Sequence, residues 1–400
     1  MGHFGNSIIK DRRIGFLTYD LQPFTEDCLN RISIVIHQNL MKAYPVFFHP
    51  NQDRVRFPFL PSQLKGRHFG VNVEGSTPEG FASNVNLKAA WECARESDII
   101  VLFGLQGATA LLTAILGSIL NRTIISVNQT LPLKWELRRR WWVRLLKRFL
   151  LAQCEYHVYQ TPVSKDVLMT VYRVEEDRLY YAPFEAGASG FMEVLASCEQ
   201  NREGLRAILG VRDRIVFLFV GNLHVFKGVS CLIEAASLLP LGTDYECIFA
   251  GPEEPKNIVG GTIEYYKNLA RKFGTEGRVR FLGSLPPPKL VEWYIASDVV
   301  VLPTQRDTFG KVLVEGGLAS KPLITTSACG AAGTIVVDGE NGFVVEPADP
   351  SSLSVAMSAM FDAGLRESMG RRSKKIIEMF CNRESETKGF ASAILHALKT

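Results

Sequence analysis

The amino-acid sequence predicts two doubly wound α/β domains. Short β-rich runs that end at Gly or Pro recur in both halves, and each is followed by a segment of helical length. This alternation is typical of a parallel sheet with helices on both faces. The length of 400 residues also exceeds one ordinary domain of roughly 150 residues. We therefore expect ligands outside the carboxyl ends of the strands, in a cleft that the two domains face.

The first half contains four apolar runs that we predict to be buried strands, at residues 13–18, 98–103, 123–127 and 157–160. Helices are expected between them, at residues 31–42, 87–96 and 108–120. The last of these has thirteen residues, whereas about 20 are needed to cross a bilayer, so it is predicted to be a core helix. His157 lies inside an apolar strand and is predicted to be a core histidine.

The second half is more regular, and its predicted strands lie at residues 215–220, 247–250, 279–282, 299–302, 323–325 and 343–345. Residues 182–202 are rich in small side chains and mark the boundary between the halves. We therefore predict one domain over residues 1–185 and a second over residues 186–383.

Composition and charge exclude several classes of protein. Apolar residues make up 46% of the chain and charged residues 22%, which is the balance of a globular protein. The net charge of +4 does not imply a nucleic-acid partner for the whole chain. The eight cysteines form no CxxC pair and accompany no histidine cluster, so buried reduced thiols are expected. The first residues contain no apolar segment of the signal-peptide kind.

A loop suited to a phosphate follows the first predicted strand of the second half. It contains Gly221, Asn222, Lys227 and Gly228, and a helix is expected from about Val229. This arrangement aims backbone N–H groups and one ammonium group at a common point, where an anion would bind. The alternative is a solvent-facing lysine that merely precedes a helix.

Two carboxylates flank a second predicted helix start. Asp307 lies in the loop, and Glu315 lies eight residues later, inside a helix that begins near Gly310. The N–H groups of Gly310, Lys311 and Val312 are predicted to be unpaired first-turn donors. Together with the first loop, this pattern favours a nucleotide-sugar, because a cradle for a diphosphate stands beside two acceptors for hydroxyl groups. The alternative is a capped helix with two surface acids.

The second half resembles glycosyltransferase family 4, a group of retaining enzymes with GT-B architecture. The resemblance runs from about residue 215 to residue 342, through the stretches GNLHVFKG, FAGPEE, VRFLGSLPPPKLVEWYIASDVVVLPTQRDTFGKVLVEGGLASKPLITT and VDGENGFVVEPAD. It implies two Rossmann-like domains, of which the N-terminal one binds the acceptor and the C-terminal one binds the nucleotide-sugar. It also implies that residues 384–400 return to the N-terminal domain as a helix.

The resemblance implies a role for each matching residue. Glu315 would hold the ribose hydroxyls, Asp307 would lie at the transferred sugar, and Lys227 would neutralise the leaving diphosphate. These three are the candidate catalytic residues. The implied donor-binding residues are Gly221, Asn222, Lys227, Gly251, Leu282, Phe309, Gly310, Lys311, Val312 and Glu315. Neither a metal ion nor another cofactor is implied, and the sequence has no DxD pair.

The chain departs from the family pattern at several positions. Asp307 stands where the family usually has Glu, Asn222 where it usually has Arg, and Asn128 where a His is frequent. Gly316 and Gly317 cost about 1 kcal/mol each inside a helix, which close packing would explain. These departures keep two alternatives open: a catalytically weak nucleotide-sugar-binding subunit of a partner transferase, and a sugar-nucleotide epimerase on the same scaffold.

A basic aromatic helix is predicted over residues 131–150, which carry seven basic residues, one acid and three of the five tryptophans. At 100° per residue, one apolar stripe contains Trp135, Trp142, Leu146, Phe149 and Leu150. Basic side chains lie opposite, at Arg140, Arg144, Lys147 and Arg148. Such a helix fits an anionic membrane surface. The alternative is an amphipathic helix that packs on its own domain.

The sequence therefore predicts a cytoplasmic, metal-independent retaining glycosyltransferase at the inner face of the membrane. It would move a hexosyl group from a UDP- or GDP-sugar to a hydroxyl of a lipid-linked glycan or lipopolysaccharide-type acceptor. No nucleic-acid partner is expected, because no recognised nucleic-acid motif accompanies the basic segment.

Overall fold

The computed structural model describes residues 12–18, 43–49, 67–70, 87–104, 108–183, 191–198, 201–253, 261–381 and 383–399. The chain divides into two compact units. The first unit consists of Met1–Gln129, Arg138–Phe184 and Arg383–Thr400. The second consists of Thr130–Leu137 and Glu185–Asn382. Each unit contains one all-parallel sheet, so the predicted pair of α/β domains is confirmed.

The sheet of the first unit has seven strands in the order β3-β2-β1-β4-β5-β6-β7. They are β1 (Arg12–Thr18), β2 (Ala43–His49), β3 (Arg67–Gly70), β4 (Ile99–Phe103), β5 (Thr123–Asn128), β6 (Tyr156–Tyr159) and β7 (Leu179–Tyr181). The four strands predicted for this half are present. Strands β2, β3 and β7 were not predicted, because β2 is interrupted by a proline and the other two are only four and three residues long. The helix predicted at residues 31–42 lies outside the described residues.

The sheet of the second unit has six strands in the order β10-β9-β8-β11-β12-β13. They are β8 (Ile215–Val220), β9 (Tyr245–Ala250), β10 (Val279–Gly283), β11 (Val299–Leu302), β12 (Leu323–Thr326) and β13 (Gly342–Val345). All six predicted strands are present within two residues at either end. The chain runs outward from β8 to β10 and then returns to β11, on the other side of β8. The loops after β8 and β11 therefore diverge at the switch point of the sheet, where ligands of such folds bind.

Fourteen helices are described. They are α1 (Leu87–Glu96), α2 (Ala108–Ile119), α3 (Leu133–Leu137), α4 (Trp141–Ala152), α5 (Pro162–Thr170), α6 (Phe191–Cys198), α7 (Arg202–Ile208), α8 (Val229–Ser237), α9 (Ile263–Lys272), α10 (Pro287–Ala296), α11 (Lys311–Leu318), α12 (Pro350–Ala359), α13 (Ala363–Phe380) and α14 (Arg383–Ala397).

Both faces of the first sheet are covered, as the side chains of β4 show. Ile99 and Val101 pack with Phe390 of α14 on one face. Ile100 and Leu102 point the other way, into a cluster with residues of α1 and α2. This alternation follows from the two-residue period of a strand. Helix α14 therefore belongs to the core of the first unit, although it follows the second unit in sequence.

Residues 131–150 do not form one helix, contrary to the prediction. Helix α3 ends at Leu137 and α4 begins at Trp141, because Arg140 takes a non-helical conformation with φ −53° and ψ 135°. Residues 130–137 also belong to the second unit, whereas the predicted boundary placed them in the first. Lys134 forms an ion pair with Glu346 of the same unit, at 3.0 Å between Nζ and Oε2. Because the segment 130–137 is short, its composition does not show that it belongs to a different unit from its neighbours in sequence.

Six described cysteines are buried and unpaired with one another: Cys93, Cys154, Cys231, Cys247, Cys329 and Cys381. The prediction of buried, reduced thiols is confirmed for these six. Burial raises the pKa of Cys154 to about 12 and that of Cys329 to about 12, so both thiols are protonated at neutral pH. Cys28 and the side chain of Cys198 lie outside the described part of the chain.

Candidate functional site

The loops that follow β8 and β11 are joined by main-chain contacts. The carbonyl oxygen of Phe226 accepts hydrogen bonds from the N–H of Gln305 at 2.7 Å and from the hydroxyl of Thr304 at 2.9 Å. Gly228 has φ +78°, and a Cβ there would lie 1.9 Å from the carbonyl oxygen of Pro303. Only glycine tolerates both this left-handed conformation and this close approach. The two loops are thereby held in a fixed mutual position.

An ion pair joins the same two loops. The Nζ atom of Lys227 lies 2.6 Å from Oδ2 of Asp307, and the side chains are 33% and 14% exposed. Lys227 ends a turn of 3-10 helix that directly precedes α8. The backbone of Asp307 is itself fixed, because its N–H donates to Ala328 at 3.1 Å and its carbonyl accepts from Gly330 at 2.9 Å. The structure thus brings together two of the candidate catalytic residues.

Asp307 also closes the turn that leads into helix α11. Its Oδ1 atom accepts hydrogen bonds from the N–H groups of Phe309 and Gly310, both at 3.1 Å. Gly310 has φ +82° and is followed by Lys311 and Val312, the first two residues of the helix. The helix start is where the sequence placed it. The prediction that the N–H of Gly310 is unpaired is wrong, because the carboxylate of Asp307 accepts its hydrogen bond.

Glu315 lies partly buried inside α11 and faces Tyr294 of α10. Its Oε2 atom accepts a hydrogen bond from the Tyr294 hydroxyl at 2.7 Å. Burial raises the pKa of Glu315, while the bond from Tyr294 and the charge of Lys311 lower it. Tyr294 is fully buried, and its burial and the charge of Glu315 raise the pKa of its hydroxyl well above 10. The hydroxyl therefore remains a donor and fixes one oxygen of the carboxylate.

Sequence reasoning missed Tyr294. The residue stands in the apolar stretch WYIA and carries the signature of an ordinary core aromatic. Its ring also packs edge-on against Phe191, at 5.8 Å between centroids. Only the three-dimensional placement of α10 beside α11 shows that its hydroxyl reaches Glu315.

The two glycines inside α11 are explained by close packing, as predicted. A Cβ at Gly316 would lie 2.7 Å from a methyl carbon of Val300 in β11. A Cβ at Gly317 would lie 2.5 Å from Ile377 in α13. The helix therefore lies closer to the sheet and to α13 than any other residue would allow, and this places Glu315.

The other predicted donor residues of this unit follow neighbouring strands. Gly221 comes directly after β8, Gly251 comes directly after β9, and Leu282 lies near the end of β10. A Cβ at Gly251 would lie 1.9 Å from the carbonyl oxygen of Gly221, so these two turns are in contact. Asn222 is exposed. All four residues thus lie at or near the carboxyl ends of β8, β9 and β10.

An aromatic stack next to the ion pair was also missed. The ring of His224 stacks on Phe226 with 4.9 Å between centroids, and the guanidinium carbon of Arg306 lies 3.9 Å from the centroid of Phe226. Phe226 directly precedes Lys227, and Arg306 directly precedes Asp307. The stack therefore adds a cation beside the loop that carries Lys227.

The first unit has a buried polar group at the carboxyl end of β5. Asn128 donates through Nδ2 to the hydroxyl oxygen of Ser126 at 2.8 Å, and Nδ1 of His157 lies 2.7 Å from the same oxygen. All three residues are at most 2% exposed. Burial lowers the pKa of His157 to about 3, so the imidazole is neutral. The prediction of a core histidine is confirmed, and Asn128 is turned towards the core.

Helix α4 exposes an apolar surface. Trp141 is 68% exposed, Leu145 55%, Phe149 51% and Trp142 49%, and these four side chains are called the Trp141 surface below. They lie at helical spacings of three, four and seven residues, so they share one side of the helix.

The predicted apolar stripe is therefore partly wrong. Leu150 is buried in the core of the first unit, and Trp135 belongs to α3 of the second unit. The exposed stripe is centred on Trp141 and Leu145 instead, because α4 packs on its own unit through Leu150 and Leu151, which lie on the opposite side of the helix. None of the helices described above combines the length and apolarity needed to cross a membrane.

The basic residues of this segment are divided between solvent and protein. Arg138, Arg140 and Arg148 are exposed, whereas Arg144 is only partly exposed. The ammonium group of Lys147 lies 4.7 Å from the centroid of the Tyr172 ring, in a cation–π contact within its own unit. The exposed charges therefore flank the Trp141 surface.

The fold over nearly the whole chain is that of the GT-B glycosyltransferases. Sucrose-phosphate synthase from Thermosynechococcus elongatus matches with a TM-score of 0.73 and 15% identity, over 97% of this chain and 99% of that one. Anabaena HepE in complex with UDP and glucose matches with a TM-score of 0.66 and 19% identity, also over 97% and 99%. At these identities the comparison establishes the fold, and the predicted fold class is confirmed.

The family assignment comes from the second unit. The model of the family "Glycosyl transferases group 1" matches residues 201–376, so this unit is a glycosyl transferases group 1 domain. The resemblance to glycosyltransferase family 4 is confirmed. D-inositol 3-phosphate glycosyltransferase from Corynebacterium diphtheriae is 31% identical over 238 residues, which are 57% of this chain and 53% of that protein. The chain thus spans about half the length of this curated relative.

Proposed function

We propose that the chain is a glycosyltransferase whose nucleotide-sugar donor binds at the carboxyl ends of the second sheet. The observation that supports this most strongly is the meeting of Lys227, Asp307 and the N-terminus of α11 at the switch point of a glycosyl transferases group 1 domain. A fixed ammonium group and a helix N-terminus attract a diphosphate. The bound UDP of HepE, a protein of the same fold, is consistent with a UDP-sugar.

Glu315 is proposed to bind the ribose hydroxyls of the donor. The Tyr294 hydroxyl donates a hydrogen bond to Oε2 of Glu315 and so orients the carboxylate. The other oxygen, Oε1, would then accept from the ribose. A carboxylate offers two oxygens with about four acceptor sites, so one further hydroxyl or a pair of hydroxyls can be accommodated. Gly251 and Leu282, at the ends of the neighbouring strands, would border the base.

The proposed reaction transfers a hexosyl group with retention of configuration. The bond between the anomeric carbon and the diphosphate oxygen breaks, and the acceptor hydroxyl oxygen bonds to the same carbon. The hydroxyl proton leaves with the diphosphate. Negative charge grows on the diphosphate as the bond breaks, and Lys227 with the oriented amides of α11 stabilises that charge in the transition state. We propose that these groups serve in place of a metal ion.

The acceptor is proposed to be lipid-linked, as a lipid-linked glycan or a lipopolysaccharide-type molecule. The support is the Trp141 surface, in which two tryptophans, a leucine and a phenylalanine are about half exposed or more. Exposed arginines flank this surface. Aromatic and aliphatic side chains beside cations are suited to the headgroup region of an anionic membrane. The protein would then work as a peripheral enzyme at the cytoplasmic face.

A thermal-shift screen against a panel of UDP- and GDP-sugars tests the donor site, because donor binding raises the unfolding temperature by mass action. Stabilisation by some of these compounds, followed by donor hydrolysis or transfer, supports the proposal. Binding without hydrolysis or transfer, in the presence of candidate acceptors, would instead identify a nucleotide-sugar-binding subunit. A changed sugar in the absence of an acceptor would identify an epimerase.

A further inference from the structure

Two glutamine side chains form a hydrogen-bonded pair at the carboxyl ends of β5 and β6 in the first unit. Asn128 and Tyr159, the last residues of these strands, are partners in the register of the sheet. Gln129 and Gln160 directly follow them, and Nε2 of Gln129 donates to Oε1 of Gln160 at 2.8 Å. The sequence does not single out either residue, because the pair joins positions 31 apart in the chain.

The two glutamines differ in exposure and in what their amides still offer. Gln160 is only 4% exposed, whereas Gln129 is exposed. The amide nitrogen of Gln160 has no hydrogen-bond partner among the described residues. It is not one of their fully buried unpaired atoms either, so solvent reaches it. Because buried polar side chains are almost always hydrogen-bonded, this NH₂ group indicates a place where a ligand or a water molecule binds.

The charged and dipolar groups next to the pair already have partners. Helix α5 begins two residues after Gln160, and the Thr161 hydroxyl caps its first turn by accepting from the N–H of Ser164 at 3.0 Å. Lys165 of the same helix forms an ion pair with Glu176 at 2.5 Å. An anionic ligand is bound best by cations and by open helix N-termini. The surroundings of the two glutamines therefore favour a neutral ligand.

We propose that Gln129 and Gln160 bind the acceptor of the proposed reaction through the hydroxyl groups of a neutral sugar. This inference rests on the proposed function, because it names the part of the acceptor that the first unit recognises. A hydroxyl group both donates and accepts hydrogen bonds, and a glutamine amide offers both functions. Gln160 donates through Nε2 to one sugar oxygen, and Gln129 contacts a neighbouring hydroxyl. The bond between the two amides fixes their spacing.

The alternative is a purely structural pair that joins the ends of β5 and β6. Loss of a structural pair lowers the unfolding temperature and leaves the affinity for a sugar unchanged. Loss of a binding pair raises the KM of the acceptor. It leaves the hydrolysis of the donor unchanged, because water then takes the place of the acceptor.

The experiment uses the full chain with the single substitutions Gln129→Ala and Gln160→Met. Methionine is about as long as glutamine and lacks its amide, so the buried position stays filled. The matched control is Gln153→Ala, which removes another glutamine of the same unit, one whose amide donates to the carbonyl of Phe149 at 3.4 Å.

The acceptor probes are the methyl α-glycosides of glucose, galactose and mannose. They carry no lipid, so the Trp141 surface does not contribute to their binding. Glucose 6-phosphate is the anionic comparison. The measurements are kcat and KM of the probe as acceptor, the rate of donor hydrolysis without acceptor, and the dissociation constant of UDP.

We expect the wild-type chain to use at least one of the neutral glycosides as an acceptor. Each of the two substitutions should raise the KM of that glycoside about threefold to tenfold, as for the loss of one hydrogen bond to a ligand. The value of kcat should change less than KM, because the contact is already made in the ground state. Donor hydrolysis and the affinity for UDP should stay unchanged. Gln153→Ala should alter none of these quantities.

Several results would overturn the inference. They are an unchanged KM in either folded variant, a loss of UDP affinity that parallels the change in KM, and transfer to glucose 6-phosphate with none to the neutral glycosides. A wild-type chain that hydrolyses the donor but uses none of the probes also contradicts it, and leaves the proposed function in place. A chain that binds no nucleotide-sugar contradicts the proposed function instead. Circular dichroism and the unfolding temperature show whether each variant is folded, and Gln129→Ala changes an exposed position.

Discussion

The carboxyl ends of the two sheets carry opposite kinds of polar chemistry. In the second unit, Lys227 and Asp307 form a charged pair that is partly open to solvent. In the first unit, Ser126, Asn128 and His157 form a neutral group that is almost completely buried. A charged, accessible group is suited to bind and release an anion, whereas a buried neutral group is suited to maintain the shape of the sheet.

This difference separates the proposed tasks of the two units. The second unit presents fixed charge and backbone dipoles at its switch point, and we assign the donor to it. Among the described residues of the first unit, α4 presents the apolar Trp141 surface and its flanking arginines. We therefore expect substitutions at the Lys227 loop to alter turnover, and substitutions on α4 to alter membrane binding.

The largest expected effect concerns Lys227, the cation of the charged pair in the second unit. Lys227→Ala should lower kcat by about 10²–10³-fold, because it removes the ammonium group that faces the developing charge. Turnover of the nucleotide-sugar identified in the thermal-shift screen is the measurement. The control is Lys289→Ala, which removes an exposed lysine that forms an ion pair with Glu292 in the same unit. Near wild-type turnover of Lys227→Ala would place the catalytic groups elsewhere.

The next largest effect is expected for the Trp141 surface of the first unit. Replacing Trp141, Leu145 and Phe149 together with serine should weaken binding to anionic vesicles by at least about a hundredfold, since each side chain contributes about 1–3 kcal/mol when buried in the interface. Sedimentation with phosphatidylglycerol vesicles is the measurement. The control replaces Leu87 and Ile119, two exposed apolar residues of the same unit, with serine. If the triple variant sediments like the control, the Trp141 surface has another partner.

The buried group of Ser126, Asn128 and His157 predicts how the free energy of unfolding of the first unit depends on pH. The pKa of His157 is lowered to about 3 by burial, from a usual value near 6.5. The unfolded state therefore binds a proton that the folded state does not, and stability present above pH 6.5 is lost as the pH falls towards 3. Between pH 7 and pH 5 the free energy of unfolding of this sheet should decrease by about 2 kcal/mol.

Hydrogen exchange of the β5 and β6 amides measures this quantity for the first unit alone. His157→Gln should reduce the slope between pH 7 and pH 5, since glutamine does not titrate. If the free energy of unfolding changes with pH equally in the variant and the wild type, groups other than His157 cause the change. The buried neutral group would then not account for the pH dependence of the first unit.

How far the sequence predicts each part depends on whether the relevant contacts are local in the chain. The six strands of the second unit were predictable because each is a continuous apolar run that ends at a turn residue. The start of α11 was predictable because Gly310 follows a loop and precedes a helical segment. The ion pair of Lys227 with Asp307 was not, because it depends on a 2.6 Å contact between residues 80 positions apart.

The exposed stripe on α4 and the role of Tyr294 could not be predicted from the sequence either. The sequence placed Trp135 on the same stripe as Trp142, because a helical projection of residues 131–150 assumes that no break exists, whereas the helices are separated at Arg140. Tyr294 has the sequence surroundings of a core residue, and its hydroxyl acquires a role only through the packing of α10 on α11. Patterns of spacing predict elements, whereas partners across elements require the packed structure.

The smallest expected effect concerns the second unit and tests the hydrogen bond between Tyr294 and Glu315. Tyr294→Phe removes the hydrogen bond to Glu315 and little else, so turnover at neutral pH should fall only about threefold, as for the loss of one hydrogen bond. That bond lowers the pKa of Glu315, and burial raises it. Without the bond the pKa rises, so the acid limb of the pH profile of kcat/KM should move to higher pH. Tyr265→Phe, at an exposed tyrosine of α9, is the control. An acid limb that stays in place, or moves to lower pH, would show that Glu315 is not the group whose ionisation the donor site requires.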